Sequence, residues 1–335
     1  MDIEEKYKIV GQRDSSFDAV AGLLILDMIL VHCRAWGGYR DSVAFSFLNV
    51  FSFFMPWFFL KGGFFFRNKK NIETIKNGFD RLIKPFLFWS AVGFVLTMIS
   101  DVAFGGKSIG SYFVYSLKAM LLDGALMGNR ALWFLLSLFV VRILCNIWVN
   151  RKLELWYLCG LSLCFSIFFY LVGLKNPVWM GNISLGLFFF ALGARMPKNS
   201  PVIKYISCIL YAIVPIFCMS RVDMRANKLI EGYYSVWIVW SIAAFFAINT
   251  FFSFFTRKMP SLMSPLVFLG RHSMSFYVAH WPVMTIVYIV EKQLLNITEK
   301  EFYMASLIGA EFLMILCVTI IKKFLQGTQL RWIFP

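Results

Sequence analysis

The stretch Phe17-Asp18-Ala19-Val20-Ala21-Gly22-Leu23-Leu24-Ile25-Leu26-Asp27-Met28-Ile29-Leu30-Val31-His32-Cys33 decides the fold. Apart from Asp18, Asp27 and His32 it is unbroken apolar sequence. At about 1.5 Å per residue it crosses most of a bilayer's hydrocarbon core as an α-helix. It closes on a histidine, one of only 3 in 335 residues. An ionisable group inside a membrane segment is costly, so it faces a partner or a polar cavity and marks a candidate site. Imidazole titrates near neutrality, which suits it to moving a proton. The structural alternative is a hydrogen bond to a neighbouring helix.

The rest of the chain has the same character. It is 59% hydrophobic and 19% aromatic, with 15% charged residues and a mean hydropathy of +0.70. That composition predicts an all-α, polytopic transmembrane helix bundle, one integral-membrane domain over 1–335 with 1–16 as a short cytoplasmic segment. About ten spans are expected, near 17–35, 44–66, 82–100, 131–149, 154–173, 178–196, 202–220, 233–255, 273–290 and 302–324. An even number puts both termini on one side. The basic turns at Arg67-Asn68-Lys69-Lys70, Arg151-Lys152, Arg195 with Lys198, Arg257-Lys258 and Lys322-Lys323 then share that side, which the positive-inside rule makes cytoplasmic. The first run lacks a small-residue cleavage site and reads as a retained anchor. The loop 67–81 and the run Tyr112 to Leu122 are expected as interfacial helices.

The net charge of +15 is dispersed between apolar runs, so it points to topology and anionic lipid headgroups, not nucleic acid. The 7 cysteines lie in or beside apolar runs without metal-ligand spacing, and no metal is expected. Gly105-Gly106-Lys107-Ser108 lacks the upstream glycine of a phosphate-binding loop, since Asp101 stands there. The ionisable residues inside the predicted spans are Asp27, His32, Lys61, Arg142, His280 and Glu311, with Asp18 at the start of the first. Asp27, five residues from His32, lies about 140° around the helix, and Asp18 lies about 21 Å below it, so neither is placed to orient the imidazole. Asp18, Asp27, Arg142 and Glu311 are read as structural polar groups pairing between helices.

Six segments, in order over most of the chain, resemble the acyltransferase-3 family of integral-membrane O-acyltransferases. They are the aspartate-led first span ending at His32; Met55-Pro56-Trp57-Phe58-Phe59-Leu60-Lys61-Gly62-Gly63-Phe64; Arg81-Leu82-Ile83-Lys84-Pro85; Leu132-Trp133-Phe134-Leu135; Phe188-Phe189-Phe190-Ala191-Leu192-Gly193; and Leu269-Gly270-Arg271-His272-Ser273 continuing through Tyr277 to His280 and Pro282. Where the family usually has Arg or Lys eleven residues before the histidine, this chain has Ala21, and Gly78 stands where an arginine is common. Lys61, at similar depth on the next antiparallel span, is expected to supply the missing charge.

The resemblance implies transfer of an acyl group, acetyl foremost, from cytoplasmic acyl-CoA (acetyl-CoA as donor substrate, with no permanently bound cofactor) to a hydroxyl of a surface polysaccharide or lipid-linked glycan. The setting it implies is a bacterial inner membrane. Lys61, Arg81 and Lys84 are expected to bind the donor, His32 to act as general base, and Asn129, Arg130, Trp133 and His280 to shape the acceptor side. A polar tunnel through the bundle is expected to bring the thioester to His32. Membrane lipids and a second copy of the chain are further candidate partners. Two alternatives stand beside this reading. One is a transporter or flippase for a glycan or an anionic metabolite. The other is a degenerate family member that binds without turnover.

Overall fold

The computed structural model describes residues 14–39, 51, 53–125, 128–172, 177–197, 200–218 and 234–335. Among them the regular structure is entirely helical. The helices are α1 (Ser15–Trp36), α2 (Phe54–Phe64), α3 (Asn71–Phe104), α4 (Ile109–Asp123), α5 (Arg130–Asn150), α6 (Leu155–Leu171), α7 (Val178–Arg195), α8 (Pro201–Cys218), α9 (Tyr234–Lys258), α10 (Pro260–Arg271), α11 (Ser273–Leu294) and α12 (Lys300–Leu325). Helices α1, α3, α5, α7, α9, α11 and α12 are each long and apolar enough to cross a membrane, and α6 and α8 are shorter apolar helices. The chain is a helical, multi-pass membrane bundle. Parts of the expected spans 44–66, 154–173, 202–220 and 233–255, and most of the expected segment 1–16, lie outside the described residues.

Helix α1 is the axis of this bundle. It packs against α2, α9, α10, α11 and α12, and Ala19, Val20, Ala21 and Leu24 are fully buried. Its start is fixed by Asp14, whose carboxylate accepts from the Ser16 backbone N–H at 2.9 Å and satisfies one of the helix's orphan donors. Without lipid-derived hydrophobic drive between helices, close approach of small residues does the packing. Helix α10 crosses α1 where Gly22 meets the Leu266 carbonyl and Gly270 meets the Asp18 carbonyl. A Cβ on either glycine would overlap backbone atoms of the other helix.

Two differences from the sequence reading have local causes. The expected boundary between the loop 67–81 and a span starting at 82 is absent, because α3 runs unbroken for 34 residues. Pro85 removes a backbone donor, and the adjoining π-turn Phe79–Ile83 re-registers the hydrogen bonds so that the helix continues through it. Helix α10 is new: its 12 residues are too few for a span, yet it makes the tightest contact with α1. Helix α4 forms where a surface helix was expected, with Ile109, Val114, Tyr115 and Leu121 more than half exposed, as an interfacial helix would leave them.

Candidate active site

Helix α11 carries Pro282 in its interior. Proline has no N–H, so the Val278 carbonyl four residues earlier loses its helical donor. Inside a membrane such a carbonyl needs another partner. Asn129 provides it, its Nδ2 donating to Val278 O at 3.2 Å. The approach is made possible by Gly128, at φ +95°, packed on Gly93 of α3 where side chains would collide. One residue further, the Tyr277 hydroxyl donates to the Ala131 carbonyl. The chain before α5 is thereby pinned to the opened turn of α11.

His280 sits in that turn, fully buried. Its Nδ1 lies 2.6 Å from the Tyr277 carbonyl. A carbonyl only accepts, so Nδ1 carries the proton and Nε2 presents a lone pair. That Nε2 and the Asn129 Oδ1 are buried acceptors with no donor among the described residues. The His280 ring stacks on His32 at 5.3 Å between centroids, with planes 30° apart, and Trp281 meets His32 edge-on at 5.2 Å. Trp36 continues the cluster at 5.7 Å from Trp281, and Tyr288 lies 5.8 Å from Trp36. His32 is half-buried. Of the expected residues, His32 and His280 therefore meet and Asn129 holds the same turn of α11, beside Tyr277 of the late signature, while Trp36 and Trp281 join the cluster without having been singled out.

The other expected residues lie elsewhere. Lys61 donates to the Phe17 carbonyl at 3.2 Å, stands 3.9 Å from Asp18 and lies over the Trp57 ring at 5.1 Å. Asp18, nearly fully buried, also faces Arg271 at 3.5 Å. Lys84 pairs with Asp80 at 2.7 Å along α3, and Arg81 lies within electrostatic reach of Arg142. Arg130 stands 3.8 Å from Asp123, and Trp133 packs on Phe134 at 6.2 Å. Asp27 and Glu311 are buried carboxyl groups with no hydrogen-bond partner among the described residues.

At the opposite end of α1 from His32 lies a cavity of about 720 Å³. Arg67, Lys204, Arg257 and Lys258 line it, against a single acid, Asp14. Several of these cations belong to the basic turns read from sequence as topological charge. The rings of Phe17, Phe64 and Phe245 close its deep end, 5.4 to 5.8 Å apart, with Trp57 buried behind them. Beyond these rings Ala21, Leu24, Ile25 and Met28 are at most 2% exposed. The expected open tunnel to His32 is therefore a correction: side chains fill that route, and the cavity ends at the aromatic plug.

The fold and these two sites define a class, an integral-membrane helix bundle with an imidazole cluster at one end of its central helix and a cationic cavity at the other. A family model described as Acyltransferase domain (Acyl_transf_3) matches residues 14–322. The chain belongs to this acyltransferase-3 family. Comparison with curated proteins and with solved structures gives no match.

Proposed function

We propose that this membrane acyltransferase moves an acyl group, acetyl foremost, from acyl-CoA on the cytoplasmic face to a hydroxyl of a surface polysaccharide or lipid-linked glycan on the other face of a bacterial inner membrane. The observation that carries the reading is the pairing of His32 and the cationic cavity at opposite ends of one helix. The convergence of Phe17, Arg67, Lys204 and Arg257 on that cavity agrees with an even, ten-span map with both termini inside, since it brings four predicted inner span ends together.

Distances assign the parts of the donor. His32 is fifteen residues beyond Phe17, about 22 Å along the helix, and its side chain leans back toward the helix N-terminus. An extended phosphopantetheine arm spans about 15 Å, by ordinary bond lengths and angles. If the pyrophosphate stayed at Arg257 and Lys258, the thioester would stop near Phe245. The nucleotide therefore fills the cavity and the pyrophosphate advances to the level of Phe17. Lys61 stands there and serves as the charge that position 21 lacks. The donor parts the Phe17, Phe64 and Phe245 rings as it binds, which makes the closed conformation the resting one. Arg81 and Lys84 lie outside the cavity and have no donor contact in this scheme.

At the far end a ring nitrogen of His32 takes the proton of the acceptor hydroxyl as its oxygen attacks the thioester carbonyl. The C–O bond forms, the C–S bond breaks, and the imidazolium returns its proton to the departing thiolate. The products are an ester and free coenzyme thiol. Asn129 Oδ1 and His280 Nε2 accept from neighbouring hydroxyls of the acceptor, and the buried acceptors thereby gain the donors they lack. Trp36 and Trp281 offer flat apolar faces to the sugar.

Membranes containing the protein, given radiolabelled acetyl-CoA and host glycan, should transfer label to the glycan; coenzyme bound without transfer would support the degenerate alternative. Removing the two contacts to the nucleotide's 3′-phosphate with Arg257→Ala and Lys258→Ala should raise the donor KM about tenfold or more while changing kcat less. An unchanged donor KM would contradict the cavity assignment. Lys61→Ala should likewise raise the KM for donor much more than that for acceptor, and equal effects on both would remove Lys61 from the donor path.

A further inference from the structure

We infer that the cationic cavity reads the donor's base, with Asn249 Oδ1 accepting from the exocyclic amino group of adenine; this rests on the donor assignment above. Asn249 lines the cavity and is 8% exposed. Its Nδ2 donates to the Phe245 carbonyl at 2.5 Å, so the orientation of the amide is set. The Oδ1 atom is left buried with no donor among the described residues. A buried acceptor of this kind costs free energy until a donor arrives. The neighbouring polar groups are committed elsewhere. Thr250 Oγ1 donates back to the Phe246 carbonyl at 2.7 Å, and Ser253 Oγ accepts from Arg257 at 2.8 Å.

The walls fit a flat aromatic base. Phe66, Phe246 and Phe254 line the same cavity, and base–aromatic stacking tolerates any nucleobase. Selectivity has to come from a polar atom. Because Nδ2 is tied to the backbone, Asn249 offers a lone acceptor, which favours a base with an amino group and opposes one with a carbonyl at that place. Along α9, Arg257 is two turns, about 12 Å, toward the cytoplasmic end from Asn249. A ribose between them would hold its base at Asn249 and its 3′-phosphate toward Arg257 and Lys258. The pantetheine arm cannot take this position, because it would leave the thioester far short of His32.

The experiment uses the full chain in membranes or detergent, with acetyl-CoA and the same donor deaminated to hypoxanthine. Wild type should bind the deaminated donor about tenfold more weakly, the effect of losing one buried hydrogen bond and facing two acceptors together. Asn249→Ala should bind acetyl-CoA more weakly and discriminate between the two donors by less than twofold. Equal binding of both donors by the wild type would overturn the inference without any variant, as would undiminished discrimination by Asn249→Ala. Arg257→Ala separates the two levels: it should weaken both donors alike. If it leaves both untouched, the cavity holds no donor and the base reading falls with it.

Discussion

Replacing His32 with alanine is expected to lower the turnover of acyl transfer by about a thousandfold, within the range that a positioned general base supplies. The protein should still fold. In the structure His32 makes ring contacts with His280 and Trp281, and aromatic contacts of this kind contribute about 0.5–1.5 kcal/mol each beyond area burial. The loss to stability is therefore small beside the loss in rate. Turnover at saturating labelled acetyl-CoA, read together with the melting temperature in detergent, separates the two effects. His32→Gln keeps polarity and bulk but supplies no comparable base, and should be nearly as inactive. Activity above a tenth of wild type in either variant would take the proton-transfer role away from His32.

The second large effect lies far from the chemistry. Gly270→Val should prevent stable folding, or destabilise the bundle by about 3 kcal/mol or more, because overpacking against backbone has no cheap relaxation. The overlap is with the Asp18 carbonyl, and the mirrored contact sets Gly22 against the Leu266 carbonyl. Pushing α10 off α1 would also separate Arg271 from Asp18. Gly309→Ala is the matched control. Nothing lies within 4 Å of a Cβ there, and alanine is the better helix former, so its stability should be unchanged or slightly higher. Equal thermal stability of the two variants would show that the crossing is not a packing constraint.

Much of the fold was legible because a lipid-facing helix leaves a simple signature, a long apolar run, and this chain repeats it. The imidazole cluster was legible for a related reason. Histidine is expensive inside a bilayer, so His32 and His280 stood out against Phe, Leu and Ile; Asn129 was marked only by its place at an outer helix end, and its answer to Pro282 is a product of packing. Tyr277 was marked only as part of the late signature and Trp281 not at all, since aromatic residues are common throughout this sequence and only the opened turn of α11 gives these two a role.

The inner site was harder to read. Arg67, Lys204, Arg257 and Lys258 come from three separate stretches, and each alone is explained by the positive-inside rule. Only their convergence at one cavity makes them a site, and convergence is a property of packing. Asn249 lies within an apolar helix where a single amide looks like a tolerated polar residue; its free Oδ1 appears only when the partner of Nδ2 is known. Helix α10 was missed because a 12-residue apolar stretch carries no membrane-span signal. The sequence cue that remained was Gly270 in the run Leu269-Gly270-Arg271, a small residue where a neighbouring backbone comes close.

Acyl transfer in this protein requires one coenzyme to reach from the cationic cavity past the Phe17, Phe64 and Phe245 rings to the imidazole cluster. The direct measurement is a cryo-electron microscopy structure with a non-transferable acetyl-CoA analogue in which methylene replaces sulfur. The predicted result is adenine against Asn249, the three rings parted, and the analogue's acyl carbonyl beside His32. An analogue held wholly below closed rings, or bound away from the cavity altogether, would contradict it.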